Sequence, residues 1–184
     1  MKAELLQALR TARSTMLSKL DDLSDFDQRR PLTPTGTNLL GLVKHLAGLE
    51  YGYLGTALGH PPADQPTWFR DDPYTEIDMW ATPDESSAYI VGVYRQAAAH
   101  SDRTVGELAL DSPAYVAHWD DERTTLGVLL IRMVAETCQH AGHADILREQ
   151  LDGRIGGGKT VTDDEAFWSE RWSKVQAAAD SFRR

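Results

Sequence analysis

Residues 125–153 read TLGVLLIRMVAETCQHAGHADILREQLDG, a long stretch whose apolar residues recur at helical spacing. This periodicity predicts a helix over about 125–151, and Gly153 just after it is a natural C-terminal stop. The stretch decides the fold because its apolar stripe must be buried against other helices. The stripe is defined by Leu126, Leu130, Met133, Thr137, Ala144 and Leu151.

Three side chains of this helix are able to bind a metal ion: Glu136, His140 and His143, at positions i, i+4 and i+7. At ~100° per residue, His140 falls about 40° from the axis of the stripe, Glu136 about 80° and His143 about 100°. We therefore expect His140 to point into the fold, Glu136 to lie at the margin and His143 to lie nearest the solvent. A single buried histidine is more often a satisfied core residue than a ligand, so the helix alone does not establish a metal site.

Two helices are predicted in the first third of the chain. The first covers about 3–23 and the second covers 38–54, with Thr37 or Asn38 as the N-cap of the second. On the second helix, His45 lies about 60° to one side of the apolar stripe, at the edge of the buried face. Its ring can meet His140 if this helix packs beside the helix of residues 125–151.

Capping signals mark two further helices. The segment 82–85, TPDE, supplies an N-cap, an N1 proline and a capping-box glutamate for a helix that reaches about His100. Thr162 and Glu165 form a second capping box, which opens a last helix with one aromatic face. The glycines at 156–158 between the two C-terminal helices predict a flexible joint.

Long connections separate these helices, at 24–37, 59–81 and 101–123. The second connection is rich in proline and contains tryptophan, and long loops of this kind are more often functional, or a cover over a site, than idle. A strand or a short turn is possible within 101–123. With no internal repeat, the sequence predicts an all-α four-helix bundle with long connections and an additional C-terminal helix, in a single domain over 1–184.

Composition narrows the classes of function. The net charge of -9, with no stripe of Lys and Arg, disfavours nucleic-acid binding because a phosphate backbone would be repelled. The single cysteine, Cys138, excludes a disulfide framework and fits a reducing compartment. We expect Cys138 to be a small buried apolar residue rather than a nucleophile. No apolar run is long enough for a membrane span, so the expected location is cytoplasmic, with no membrane partner.

A divalent ion would account for the inward-facing histidines. Two imidazoles and a carboxylate compensate one another's burial when they bind an ion, and helix bundles often build such sites from facing helices. His45, Glu136 and His140 form the predicted ligand set, because i+3 and i+4 spacings both keep side chains neighbours on a helix. Three protein ligands leave a coordination position open, as catalytic sites do. Zn²⁺ is the first candidate, while nickel, iron and manganese suit the same donor atoms.

The segments 42–54, LVKHLAGLEYGYL, and 135–153, AETCQHAGHADILREQLDG, resemble the DinB/YfiT-like superfamily, most closely its actinobacterial branch once called mini-circle proteins. The resemblance covers essentially the whole chain and implies a four-helix bundle, often a homodimer. It also implies three metal ligands, which carry over to His45, Glu136 and His140. The glutamate at the second of these positions is similar to the ligand arrangement in mycothiol-dependent maleylpyruvate isomerase, a relative whose cofactor thiol binds the metal. Arg132 departs from the branch, whose members often have histidine there.

The resemblance implies an activity as well. The bound ion would hold a low-molecular-weight thiol, mycothiol if the family implication holds, for attack on a small electrophile or for its isomerisation. The electrophile could be a xenobiotic, an epoxide or an unsaturated acid. His143 occupies a position where many members have glutamine, and we interpret it as a neighbour of the ligands.

Two alternatives use the same residues. In the first, the ion activates water and the protein is a metal-dependent hydrolase. In the second, the bundle is a non-catalytic, stress-related or partner-binding protein whose metal site is vestigial. Thiol-dependent turnover distinguishes the transferase from the hydrolase, and metal content distinguishes both from the non-catalytic protein.

Overall fold

The computed structural model describes residues 1–70, 77–119, 123–156 and 164–183. Within these ranges the chain forms six α-helices and one two-stranded antiparallel sheet. In chain order the elements are α1 (Lys2–Ser18), α2 (Asp25–Arg29), α3 (Leu39–Tyr53), α4 (Ser87–Glu107), β1 (Pro113–Tyr115), β2 (Arg123–Thr125), α5 (Leu126–Asp152) and α6 (Glu165–Asp180). None of the described helices is long and apolar enough to cross a membrane.

The helices α1, α3, α4 and α5 form a bundle, in which α3 packs on α4, α1 packs on α5, and α3 also packs on α5. The all-α prediction is therefore confirmed, and the buried side chains of these four helices form one apolar core. The core brings the second predicted helix beside the long helix that contains Glu136 and His140, as the sequence argument required.

Helix α3 is the most buried element because nearly every residue from 39 to 47 is apolar or small. Its start is fixed by Asn38, whose Oδ1 accepts a hydrogen bond from the backbone N–H of Gly41 at 2.7 Å. A side-chain cap of this kind satisfies one of the free N–H groups of the first turn. Asn38, one of the two residues proposed as the cap, is therefore the one that forms it.

Buried charges join α3 to its neighbours. Glu50 is fully buried, and its carboxylate accepts hydrogen bonds from Arg13 of α1 at 2.6 and 2.8 Å. The same guanidinium donates to Asp102 of α4 at 2.6 Å. A desolvated charge without a partner is very costly. The buried cluster of Arg13, Glu50 and Asp102 can therefore be tolerated only while all three side chains are present.

The boundaries of two predicted helices are wrong. The first helix ends at Ser18, short of residue 23. The segment 82–85 does close a turn, in which Glu85 accepts from the backbone N–H of Thr82 at 2.8 Å. The helix α4 nevertheless begins only after Ser86, whose Oγ accepts from Tyr89 N. It then continues to Glu107, so the first third of the 101–123 connection is helical.

Two strands at the end of that connection pair in an antiparallel sheet that leads into α5. Strands β1 and β2 pair through Pro113 with Thr125 and Tyr115 with Arg123. The first backbone N–H groups of α5 are then satisfied by carbonyls of the preceding loop, with Gly127 donating to Leu110 at 2.8 Å. Helix α5 ends at Gly153, which has a φ of 75° and so adopts the left-handed conformation expected of a C-terminal glycine.

The C-terminal helix α6 differs from the prediction in its cap. Thr162 and the glycines after 156 lie outside the described residues, and the cap within them is Asp164, whose carboxylate accepts from Ala166 N at 2.9 Å. The aromatic face of α6 is largely exposed, with Trp172 66% and Val175 63% accessible. This helix therefore contributes little to the core that holds the candidate site.

Candidate functional site

His45 of α3 and His140 of α5 meet at the interface between these two helices. Their ring centroids are 5.1 Å apart and their planes are inclined by 80°. Both side chains are largely buried, with 22% of His45 and 12% of His140 accessible to solvent. The structure thus brings together two histidines that lie far apart in the sequence, as the helical periodicity predicted.

Glu136 lies one turn before His140 on the same side of α5. Its Oε2 is 3.7 Å from His140 Nε2, which is too long for a hydrogen bond. Its Oε1 is 3.3 Å from a guanidinium nitrogen of Arg132. Because 23% of Glu136 is accessible, the predicted order of exposure is confirmed, with His140 innermost and His143 exposed.

The ring of His140 is an unusual buried polar group. Nδ1 is buried and has no hydrogen-bond partner within the described part of the chain. The pKa of His140 is lowered to about 4, mainly by burial and further by His45 and His143, against the opposing effect of Glu136. The ring is therefore neutral at neutral pH, with a lone pair available. A buried polar atom left unpaired costs about 1–3 kcal/mol, which a bound ligand would offset.

Asp78 is a site residue that the sequence argument missed. Its Oδ2 lies 2.6 Å from Nδ1 of His45. Since an ionised carboxylate can only accept, His45 donates its Nδ1–H, and the lone pair of the ring is then on Nε2. This hydrogen bond holds the pKa of the Asp78 carboxyl below its usual range, although burial opposes the shift. The only sequence signal for such a residue was the long proline-rich connection in which it lies.

The segment that contains Asp78 is fixed on α3 by a buried lysine. Lys44 is fully buried, and its ammonium group donates to the carbonyls of Ile77 at 2.9 Å and Trp80 at 3.0 Å. It also donates to the Glu85 carboxylate at 2.8 Å. Lys44 is the neighbour of His45 in the sequence, so one turn of α3 provides both the histidine and the group that positions its carboxylate partner.

Two further contacts hold the same segment. Asn38 Nδ2 donates to the carbonyl of Met79 at 3.2 Å. A Cβ at Gly41 would collide with that carbonyl oxygen, so only glycine allows the segment to approach the helix this closely. The backbone around Asp78 is therefore held by residues at three positions at the start and in the first half of α3.

Arg132 occupies the outer edge of the site. Its guanidinium carbon lies 5.7 Å from the ring centroid of Tyr53 and 5.2 Å from that of Trp119, at distances typical of cation–π contacts. Together with the ion pair to Glu136, these contacts orient the arginine. Members of the resembling branch often have histidine at the position of Arg132. The arginine of this chain places a cation beside Glu136 and neutralises part of its charge.

A cavity of about 1210 Å³ adjoins the pair formed by His45 and Asp78. Aromatic rings form much of its wall, including the tryptophans of the 59–81 connection, and one of these, Trp68, is 6% exposed. His118 also lines the cavity. This position of the tryptophans agrees with the possibility that the connection covers a site. The aromatic residues that line the cavity are Tyr53, Trp68, Phe69, Trp80 and Tyr115.

The remaining candidates lie apart from this centre. The ring of His143 is 5.5 Å from that of His140, but its side chain is exposed. Cys138 is exposed, so the expectation of a buried residue is wrong. The reason is geometric: Cys138 lies about 160° around the helix from His140, which points inward, and must therefore face the solvent.

The donor atoms around His140 suit a divalent ion, although the described residues contain no ready-made group of three His, Cys, Asp or Glu side chains that would hold one. His45 donates a hydrogen bond from Nδ1 to Asp78, so its Nε2 is the nitrogen that could bind an ion. Histidines that bind metals commonly form such a hydrogen bond to a carboxylate through the nitrogen that does not bind the metal. His140 is neutral, and its buried Nδ1 has no hydrogen-bond partner in the part of the chain that the structure describes. Glu136 supplies a carboxylate beside it. The chemistry of these residues therefore fits an ion.

Comparison with known proteins agrees with this architecture. A crystal structure described as the conserved protein of locus from Enterococcus faecalis has a similar fold, with a TM-score of 0.64, 14% identity, and coverage of 84% of this chain and 98% of that one. At this identity the likeness concerns the fold alone. No curated protein matches the chain. The family profile of mycothiol-S-transferases matches residues 4–153, which include the bundle and the whole candidate site. The chain therefore belongs to the mycothiol-S-transferase family, a family of the DinB/YfiT-like superfamily.

Proposed function

We propose that this protein transfers mycothiol to a small electrophile at the interface between α3 and α5. The observation that carries the proposal is the meeting of His45 and His140, whose rings are 5.1 Å apart beside a large cavity. His140 Nδ1 is buried and has no hydrogen-bond partner among the described residues, and a bound ion would compensate the cost of burying this ring. The membership of the chain in a mycothiol-S-transferase family supports the choice of thiol.

His45, Glu136 and His140 would hold a divalent ion, with zinc as the first candidate. Such an ion would supply a Lewis acid that keeps the sulfur of the thiol deprotonated at neutral pH. The side chains of the protein then orient the ligand residues and set their protonation states. Asp78 keeps His45 in the tautomer with its lone pair on Nε2, and burial keeps His140 unprotonated.

Arg132 and Glu136 act as a pair at the margin. The arginine binds Oε1 of Glu136, so that Oε2 is the oxygen on the side of His140. The glutamate is therefore oriented without a direct hydrogen bond to His140. The negative charge of Glu136 would lower the Lewis acidity of a bound ion. The ion pair with Arg132 would reduce this effect.

The transfer itself is a displacement or an addition. The thiol loses its proton to solvent, and its sulfur then forms a bond to carbon of the electrophile. In a displacement the leaving group departs with the electron pair of its bond, whereas in an addition the new carbanion or alkoxide takes up a proton from water. The aromatic walls of the cavity would reduce the access of water to the reacting atoms, which would favour attack by the sulfur over hydrolysis.

Metal content and thiol dependence test the proposal. Protein purified without an affinity tag is expected to contain one equivalent of metal by mass spectrometry, and His45→Ala and His140→Ala are expected to lose it. His60→Ala is the matched control, since His60 lies outside the site and is 37% exposed. Conjugation of chlorodinitrobenzene should require mycothiol and should follow the metal content. Equal metal in wild type and His45→Ala, or turnover that does not depend on thiol, would contradict the proposal.

A further inference from the structure

We propose that the cavity beside His45 binds the electrophile, that it selects an uncharged molecule with an aromatic or bulky apolar body, and that Gly52 determines the size it accepts. The identification of the ligand as the electrophile rests on the proposed function, but the binding preference itself follows from the cavity. The observations that carry it are the volume of the cavity, the chemistry of its lining and the position of its polar end.

The polar end of the cavity coincides with the candidate site. His45 and Asp78 both line it, and so do residues one and two turns further along the same side of α3 and in the turn that follows. The positions on this line are His45, Gly48, Gly52 and Thr56, at spacings of three and four residues. A molecule that lies along this line therefore has one end beside the imidazole and the rest of its body against the helix.

The lining selects against negative charge. Among the described residues that line the cavity there is no lysine or arginine, and Asp78 contributes a carboxylate. Arg132 contacts Tyr53, which lines the cavity, but its guanidinium is already paired with Glu136 and stacked against Tyr53 and Trp119. In the metal-free protein an anionic molecule would therefore lose its hydration without gaining a lysine or arginine partner among these lining residues, whereas an uncharged aromatic molecule gains contact with the aromatic walls.

Gly52 keeps the cavity wide because it has no side chain. Glycine is unfavourable within a helix, and its backbone there has no left-handed conformation that would require it. Among the described residues, leaving aside the adjoining backbone of α3, a Cβ at Gly52 would meet one atom within 4 Å, an edge atom of Phe69 at 4.0 Å. Space for a larger side chain therefore exists, and such a side chain would occupy the cavity. At Gly48 a Cβ would already lie 3.4 Å from the Trp68 ring, so Gly52 is the position with the freer space.

Two probes that share one aromatic skeleton test the selection. N-phenylnaphthylamine is uncharged, and anilinonaphthalene sulfonate has the same rings with an added negative charge. Fluorescence titration of the metal-free, thiol-free protein should show saturable binding of the uncharged probe with one equivalent per chain, and binding of the sulfonate should be about tenfold weaker or more. Equal or tighter binding of the sulfonate would overturn the proposal.

Substitution of Gly52 tests the place of binding. Gly52→Leu should weaken binding of N-phenylnaphthylamine by about tenfold or more, because added methylenes compete for the same space. Gly52→Ala adds a single methyl group and should have a smaller effect in the same direction, so that a result is available if the leucine variant does not fold. Gly92→Leu is the matched control, since Gly92 lies within α4, away from the cavity, and a Cβ there would have no atom of the described residues within 4 Å apart from the adjoining backbone of α4. Unchanged affinity in both Gly52 variants, or equal loss in the Gly92 variant, would overturn the proposal.

Competition between ligands separates electrophile binding from the transferase activity. Chlorodinitrobenzene should displace the bound probe, and mycothiol should not. Displacement by mycothiol alone would assign the cavity to the thiol and overturn the inference, while the transferase activity would stand. Conversely, binding and size selection measured without thiol or metal remain valid if no transfer activity is found.

Discussion

Asp78 Oδ2 lies 2.6 Å from His45 Nδ1, although Asp78 comes from a connection and His45 from the middle of a buried helix. The carboxylate fixes both the tautomer and the ring orientation of the histidine. Partners of this kind commonly orient the histidines that bind metals, and they raise the basicity of the ligating nitrogen. The pair therefore links the proline-rich connection directly to the candidate metal centre.

Replacement of Asp78 by asparagine should weaken zinc binding by about 10–100-fold, because the amide is a poorer acceptor and leaves the imidazole less basic. Calorimetric titration of the metal-free protein with zinc measures the effect. Asp84→Asn, an exposed carboxylate of the neighbouring turn, is the control and should bind zinc as the wild type does. Wild-type affinity in Asp78→Asn would show that the carboxylate has no role in orienting His45.

Replacement of Lys44 by methionine should destabilise the protein by about 2–4 kcal/mol, because a buried charge network loses one partner. The methionine fills similar volume, but the Glu85 carboxylate and the carbonyls of Ile77 and Trp80 lose their common donor. Urea denaturation followed by circular dichroism gives the free energy of unfolding.

The control for Lys44 is Lys174→Met on α6. Lys174 forms a pair with Glu170, but both side chains are mostly exposed, at 73% and 67%. Exposed pairs contribute less than about 1 kcal/mol. If the two variants were equally stable, the buried ammonium group would not be what holds the connection on α3.

Replacement of Gly41 by alanine should lower both stability and zinc affinity. Alanine favours a helix by about 1 kcal/mol over glycine, but the new Cβ would collide with the carbonyl of Met79 and displace the segment around Asp78. Gly92→Ala should instead gain about 0.5–1 kcal/mol, because the described part of the chain places no atom within 4 Å of a Cβ there apart from the adjoining backbone of α4. Thermal unfolding and zinc titration of both variants check this contrast, and a stabilised Gly41→Ala would contradict the close approach.

The orientation of the central histidines could be predicted because it depends on local geometry alone. At ~100° per residue, the stripe of α5 determines that His140 faces inward and His143 outward, and the structure agrees. The same rule, applied consistently, would have placed Cys138 on the solvent side. The expectation that Cys138 is buried followed the average behaviour of cysteine, whereas a position about 160° from the inward-facing His140 indicates exposure.

Asp78 could not be predicted, because nothing local determines where a residue in a connection will lie. Its place depends on Lys44, Asn38 and Gly41, which act on it through contacts between distant parts of the chain. The start of α4 was misplaced for a related reason. Glu85, taken as part of a helix cap, is also a partner of Lys44, and the helix begins at the next available cap, Ser86.

Replacement of Cys138 by serine should leave metal content and thiol transfer unchanged. The side chain is exposed and lies on the opposite side of α5 from His140, so it cannot take part in chemistry at the candidate site. The wild-type thiol should nevertheless react with Ellman's reagent without denaturant, at a rate comparable to that of a free thiol. A slow reaction that becomes fast only in urea would show that this face of α5 is covered in solution, as it would be in the homodimer that the resemblance implies.

His143→Ala compared with His140→Ala tests the ligand set most directly. The two rings are only 5.5 Å apart, but His140 is 12% exposed beside His45, whereas His143 is exposed. A ligand that binds only the folded state stabilises it by about 2.7 kcal/mol when its concentration is about a hundred times the dissociation constant. Zinc should therefore raise the melting temperature of the wild type and of His143→Ala to a similar extent, and should leave that of His140→Ala unchanged. Loss of the zinc effect in His143→Ala, with retention in His140→Ala, would mean that α5 binds the ion through its outer face and that the cavity beside His45 is not adjacent to the metal.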